Sequence, residues 1–166
     1  MMQKIRTFLE KHPKEYELLR YLIAGVLTTL LSMLISYGVE FILAPKTPVE
    51  GSVLSWIAKT INLATPGQVM IANAVSWVIA VLFAFWINRK MVFRVQGGTS
   101  GSVLKELAEF AFGRVLSFVL FEEGMALLLA KIGVSNIVNR IIVLVFVMVF
   151  NYVVSKFWVF KKKEKA

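Results

Sequence analysis

No cysteine occurs among the 166 residues, which excludes disulfides and thiolate chemistry. Histidine occurs once, as His12 in a polar N-terminal segment, and a single tail imidazole makes no metal site. No Ser/His/Asp constellation is present, and no glycine loop of the kind that cradles phosphate. The carboxylates have the chemistry of a glycosidase pair, yet nothing positions them on a cleft. An enzyme, a cofactor and a metal are therefore not expected. Charge is also scarce: 17% of residues are charged and 58% are hydrophobic, with a mean hydropathy of +0.73. That balance lies far from a soluble globular chain. The length suits one membrane domain and leaves no room for a soluble enzyme domain beside it.

What is present is long apolar runs. Gln68 to Ile87 reads QVMIANAVSWVIAVLFAFWI, with no charge and no proline. At about 1.5 Å per residue such a helix reaches roughly 30 Å, the thickness of a bilayer's hydrocarbon core. The sequence predicts an all-α membrane protein with four transmembrane helices in two hairpins. The spans fall at about 18–44, 68–88, 104–130 and 136–158. A connector at 50–62 has Val53, Leu54, Trp56, Ile57 and Ile61 at helical spacing, which fits an amphipathic helix lying on the membrane, the alternative being an ordinary loop packed on the outer mouth. A flexible loop, 89–103, contains Gln96-Gly97-Gly98-Thr99-Ser100-Gly101-Ser102. The turn Lys131 to Ser135 is short enough to make spans three and four antiparallel neighbours. The first run is too long for a cleavable signal and lacks a small-residue cleavage site.

The net charge of +9 flanks these runs, which points to orientation and anionic lipid and away from nucleic acid. Lys4, Arg6, Lys11, Lys14, Arg20, Arg89, Lys90, Arg94, Lys105, Lys156, Lys161, Lys162, Lys163 and Lys165 fall on one side. Lys46, Lys59, Lys131 and Arg140 fall on the other. The positive-inside rule then places both termini in the cytoplasm, with the chain in the cytoplasmic membrane.

Spans two and four also resemble each other at an offset of 67. Asn88-Arg89-Lys90-Met91-Val92-Phe93-Arg94 lies over Ser155-Lys156-Phe157-Trp158-Val159-Phe160-Lys161, Ala84 over Asn151 and Asn73 over Arg140. A parallel internal repeat, two hairpins about an axis along the membrane normal, would produce this register. Interfaces also select cations and aromatics by themselves.

Span one opens with LLRYLIAGVLTTLLSMLISYGVE and span two carries IANAVSWVIAVLFAFWINRKMVF. Span three opens with EFAFGRVLSFVLFEE and span four ends with FNYVVSKFWVF. Over nearly the whole chain these stretches resemble the GtrA-like family of four-span membrane proteins. The resemblance implies a link to polyprenyl-phosphate-linked sugars. Members are proposed to flip a lipid-phosphate monosaccharide across the membrane for cell-wall, teichoic-acid or O-antigen glycosylation. A related domain is attached to polyprenyl-phosphate glycosyltransferases, which implies a functional link to such enzymes. The chain departs from the family at Ala84, where asparagine is common, so the polar site shifts towards Asn151.

Ionisable groups at membrane depth are costly and are functional candidates by default. Arg114, about ten residues into span three, presents donors that match phosphate oxygens bidentately, with Arg20, Arg89 and Lys156 at the inner surface to help. Its structural alternative is an intramembrane ion pair. Arg114 and Glu122 are eight residues apart, roughly 12 Å along one helix, too far for direct contact. A pair between Glu122 or Glu123 and Arg140 across the hairpin is the expected structural arrangement. Glu122, Glu123, Arg140, Asn73, Asn139, Asn151 and Glu40 are the candidates for a polar path that hydrogen-bonds sugar or water, although Glu40, near a span end, reads as solvated. Trp77, Phe83, Phe85 and Trp86 read as packing residues, with stacking on a sugar ring as the alternative. The expected function is flipping of a polyprenyl-phosphate monosaccharide, with a homodimer enlarging the small interior. A non-transporting adaptor for a glycosyltransferase and a small multidrug-type exporter are the alternatives.

Overall fold

Among the described residues every regular element is helical. The computed structural model describes residues 13–46, 48 and 51–161. His12, the N-terminal cations Lys4, Arg6 and Lys11, and the tail Lys162, Lys163 and Lys165 lie outside the described residues. The chain divides into two units, Met1–Ile87 and Asn88–Ala166.

In the first unit α1 spans Pro13–Leu43, α2 spans Val53–Ile61 and α3 spans Pro66–Ile87. Pro66 occupies the first turn of α3, where its missing N–H costs no hydrogen bond. Thr65 and Gln68 form a reciprocal cap: the Thr65 N–H donates to Gln68 Oε1 at 2.8 Å and the Gln68 N–H to Thr65 Oγ1 at 3.4 Å. Gln68 Nε2 also donates to the Leu43 carbonyl at 2.7 Å, tying the start of α3 to the end of α1. The helices run antiparallel, because Leu43 meets Gln68, Ser36 meets Asn73 and Ser32 meets Ser76. Small side chains make this approach possible. Ala72, Ser76, Ala80 and Ala84 recur every four residues on α3 and all are buried. Ala24, Thr28, Ser32, Ser36, Glu40 and Ala44 keep the same spacing on the opposing chain. Membrane helices pack closely through such small-residue rows, since lipid gives no hydrophobic drive to associate. The short helix α2 is capped by Ser52, whose Oγ accepts from the Ser55 N–H at 3.2 Å. Its Trp56 stands edge-on to Phe41 at 5.3 Å, so the indole packs on α1.

The second unit opens with a π-helical turn, Asn88–Val92. α4 follows at Ser100–Ser117, then a π-helical stretch, Phe118–Met125, then α5 at Ala126–Lys131. Gly133, at φ +83°, turns the chain into α6, Asn136–Val154, which ends in a third π-helical turn, Ser155–Val159. α4 and α6 are antiparallel: Phe110 lies 6.0 Å from Phe160, Phe112 6.3 Å from Trp158, and Phe121 5.3 Å from Phe150. The two helices approach tightly at Gly113, where a Cβ would come within 3.0 Å of Val154 Cγ1. Glycine is required there because the backbone of α4 lies against a branched side chain.

Three helical runs are long and apolar enough to cross a membrane: Glu15–Leu43, Pro66–Val92 and Ile137–Val159. The fourth expected span is different. Residues 100–131 are continuously helical, yet Lys105, Glu106, Glu109, Arg114, Glu122 and Glu123 make them too polar to qualify by composition. At the 67-residue offset several features do recur. The π-helical turns Asn88–Val92 and Ser155–Val159 correspond residue for residue. Both members of each of the pairs Ala72 and Asn139, Ser76 and Val143, Ala84 and Asn151, Val92 and Val159, and Phe93 and Phe160 are buried.

Candidate functional site

A polar seam runs through the apolar α1–α3 hairpin. Ser76 donates to the Ser32 carbonyl at 2.7 Å, and the two serine hydroxyls lie 2.7 Å apart. One turn along, Ser36 Oγ stands 2.9 Å from Asn73 Oδ1 and 3.1 Å from Glu40 Oε1. These residues, with Met33, Tyr37, Val69, Trp77 and Ala80, line a cavity of about 420 Å³. Glu40 is buried, with 7% of its surface exposed, so the expectation of a solvated span end is overturned. The cause is its place on the four-residue row that faces α3, which turns the carboxylate inward. Asn73, an expected path residue, lines the same cavity. Trp77, read as packing, is one of its walls.

A second, basic groove of about 1190 Å³ lies within the unit 88–166. Arg89, Arg94, Lys105 and Lys161 line it, with Glu106 and Glu109. Arg89 is buried: Nε donates to Glu106 Oε2 at 2.7 Å and Nη2 to the Gly97 carbonyl at 2.6 Å. Its guanidinium therefore holds the 93–98 turn in place. Gly98, at φ +109°, makes room for it, since a Cβ there would lie 3.1 Å from Arg89 Nη2. Lys105 lies 3.8 Å from Glu109, a loose pair one turn apart on α4. Two carboxylates against four cations leave the groove with a net positive charge.

The other expected site residues do not gather at one point. Arg114 is half-buried and stacks its guanidinium 4.9 Å above the Phe110 ring of its own helix. It forms no ion pair among the described residues and lines neither cavity. Arg20 lies 4.7 Å above the Tyr16 ring. Lys156 Nζ donates to Tyr152 Oη at 3.0 Å. The expected pair between Arg140 and Glu122 or Glu123 is absent among the described residues, and all three side chains are exposed. The reason is the π-helical winding of Phe118–Met125, which places both glutamates in a widened turn. Gly124 admits that winding, with its Cβ position 3.3 Å from the Val119 carbonyl. Asn139 instead binds backbone: Nδ2 donates to the Ala126 carbonyl at 2.9 Å, while Oδ1 is buried without a hydrogen-bond partner among the described residues. Asn151 is buried near the end of α6. The residues missed from sequence are Ser32, Ser36 and Ser76, and their signal is a small or hydroxyl side chain at every fourth position of an apolar helix, Thr28, Ser32 and Ser36 on α1 and Ala72, Ser76 and Ala80 on α3.

Membrane-length helices that carry a buried carboxylate and hydroxyls along their contact define a small helical membrane protein with polar groups between its helices. The chain belongs to the GtrA/DPMS transmembrane-domain family, whose model matches residues 20–160. A relative in Listeria innocua serovar 6a, the cell wall teichoic acid glycosylation protein GtcA, is 30% identical over 167 residues, covering 98% of this chain and all of that protein. GtcA of Listeria monocytogenes serovar 1/2a shows the same identity and coverage. The uncharacterized membrane protein YwcD of Bacillus subtilis strain 168 is 34% identical over 94 residues, 57% of this chain and 74% of its own. No solved structure matches the chain.

Proposed function

We propose that the protein moves a polyprenyl-phosphate-linked monosaccharide across the cytoplasmic membrane for glycosylation of a cell-surface polymer, with no covalent step of its own. One observation carries this: the buried carboxylate of Glu40 in a hydroxyl-lined cavity between two membrane-length helices. A polar chamber at that place is costly to maintain in lipid unless a polar cargo or water uses it. The name of the full-length Listeria relatives, teichoic acid glycosylation, supports a sugar cargo. The cationic groove beside Arg89 supports a phosphorylated carrier.

Residues 100–131 form the fourth span in this reading, because about 48 Å of continuous helix is ample for the bilayer. Both termini then lie in the cytoplasm, and the matching π-helical turns mark two copies of one ancestral hairpin. A second copy of the chain completes the path as a homodimer. Because the chain has no cysteine, single cysteines introduced at 99 and 133 label from opposite faces if the fourth span exists. The function itself is tested in liposomes carrying a defined polyprenyl-phosphate sugar. Protein-dependent appearance of the sugar on the far leaflet supports transport. Its absence, with a partner glycosyltransferase still stimulated, would leave an adaptor.

A further inference from the structure

We infer that the α1–α3 cavity is a sugar-ring subsite that distinguishes a glycosylated carrier from a bare one, an inference that rests on the transport reading above. The hydrogen-bond inventory carries it. Ser36 has one hydroxyl proton, yet two oxygens stand within bonding distance, Glu40 Oε1 at 3.1 Å and Asn73 Oδ1 at 2.9 Å. It cannot donate to both. Turning the Asn73 amide about its last bond places Nδ2 on Ser36 and satisfies the arrangement. The chain then runs one way: Asn73 donates to Ser36, and Ser36 donates to the Glu40 carboxylate. Ser76 spends its proton on the Ser32 carbonyl and Ser32 spends its own on Ser76.

Every donor in the seam is thus used internally, apart from the second amide proton of Asn73. The seam itself therefore offers acceptors, Glu40 Oε2, Asn73 Oδ1 and serine lone pairs, while the Tyr37 hydroxyl and the Trp77 indole N–H are the donors among the other lining residues. A ligand that pairs with the seam must bring donors. Sugar hydroxyls do, and a vicinal pair suits a carboxylate oxygen beside an amide oxygen. A phosphate monoester does not: its oxygens are acceptors, and it has no set of hydroxyl donors to match the seam. The volume of about 420 Å³ falls in the range of small-molecule sites and far exceeds a desolvated ion. Trp77 and Tyr37 line the same space and supply apolar faces for the C–H side of a ring.

The test uses the full chain in nanodiscs and isothermal titration calorimetry. The probes are short-chain prenyl phosphates bearing glucose, galactose or N-acetylglucosamine, and the same prenyl phosphate without sugar. At least one glycosylated probe is expected to bind about ten- to a hundredfold tighter than the bare phosphate, the range one hydrogen bond to a charged group gives. Glu40→Gln and Ser36→Ala should each shrink that preference to within about threefold and leave bare-phosphate affinity unchanged. Gly25→Ala, whose Cβ would meet nothing within 4 Å, should keep it. Equal affinity for all probes, a preference that survives both variants, or stabilisation by sodium alone that Glu40→Gln removes would overturn the subsite. Sugar-dependent binding without translocation would overturn transport and leave the subsite standing. Translocation that ignores the sugar would do the reverse.

Discussion

Arg89 and Glu106 form a buried ion pair at 2.7 Å, their side chains 8% and 21% exposed. Breaking such a pair leaves a charge stranded, whereas replacing both partners by apolar groups is close to neutral. Glu106→Ala is therefore expected to cost about 2–3 kcal/mol, below the value for a fully enclosed pair because Glu106 keeps some contact with solvent. Arg89→Met with Glu106→Leu should recover most of it. Thermal unfolding in detergent reads both, and protease cleavage near Gly97 should follow the single variant, since Arg89 also holds that carbonyl.

Gly113 and Val154 make a second testable contact. Gly113→Ala drives a methyl to 3.0 Å from Val154 Cγ1 and is expected to destabilise by about 1–3 kcal/mol. Adding Val154→Ala should restore stability. A double-mutant cycle with no coupling would mean that α4 and α6 are not in contact there.

Arg114 stacks on the Phe110 ring and forms no ion pair among the described residues, so Arg114→Ala should change stability by about 0.5–1 kcal/mol at most. Lipid-linked sugar transport in liposomes should nonetheless fall at least about tenfold if its guanidinium meets the carrier phosphate. Normal transport by a normally inserted variant would remove Arg114 from the path.

Glu122 and Glu123 are exposed within the π-helical stretch, and Glu122→Gln and Glu123→Gln should each leave stability within about 0.5 kcal/mol. An exporter of lipophilic cations would depend on one of them. Resistance to such cations that is conferred by the wild type and lost in either variant would favour that activity over sugar transport.

Much of the architecture was legible because bilayer thickness sets helix length, and α1, α3 and α6 are apolar for about that distance. The third span was less legible, since its carboxylates and Arg114 sit on a helix that hydropathy alone rejects. Periodicity located the short helix α2, while nothing in its spacing told that Trp56 would face Phe41. The site divided similarly. Asn73 was a candidate by its polarity within a span and lines the cavity, whereas Glu40, placed near a span end, read as solvated and is buried beside it. The Arg140 pairing was expected from a shared depth across the hairpin, and depth does not fix which way a side chain points: both glutamates stand exposed in the π-helical winding that begins at Phe118. Ser32, Ser36 and Ser76 escaped notice because a hydroxyl barely lowers hydropathy; only their spacing of four marks them.

That spacing has a mechanical corollary. Thr28, Ser32 and Ser36 set hydroxyls like rungs on successive turns of α1, about 6 Å apart. A slide of one rung in either direction leaves Ser76 facing another hydroxyl and keeps alanine-sized steps in register. The middle of the hairpin is thus nearly indifferent to its position along the ladder, and the brake sits at one end, where Gln68 grips the Leu43 carbonyl and Asn73 meets Ser36.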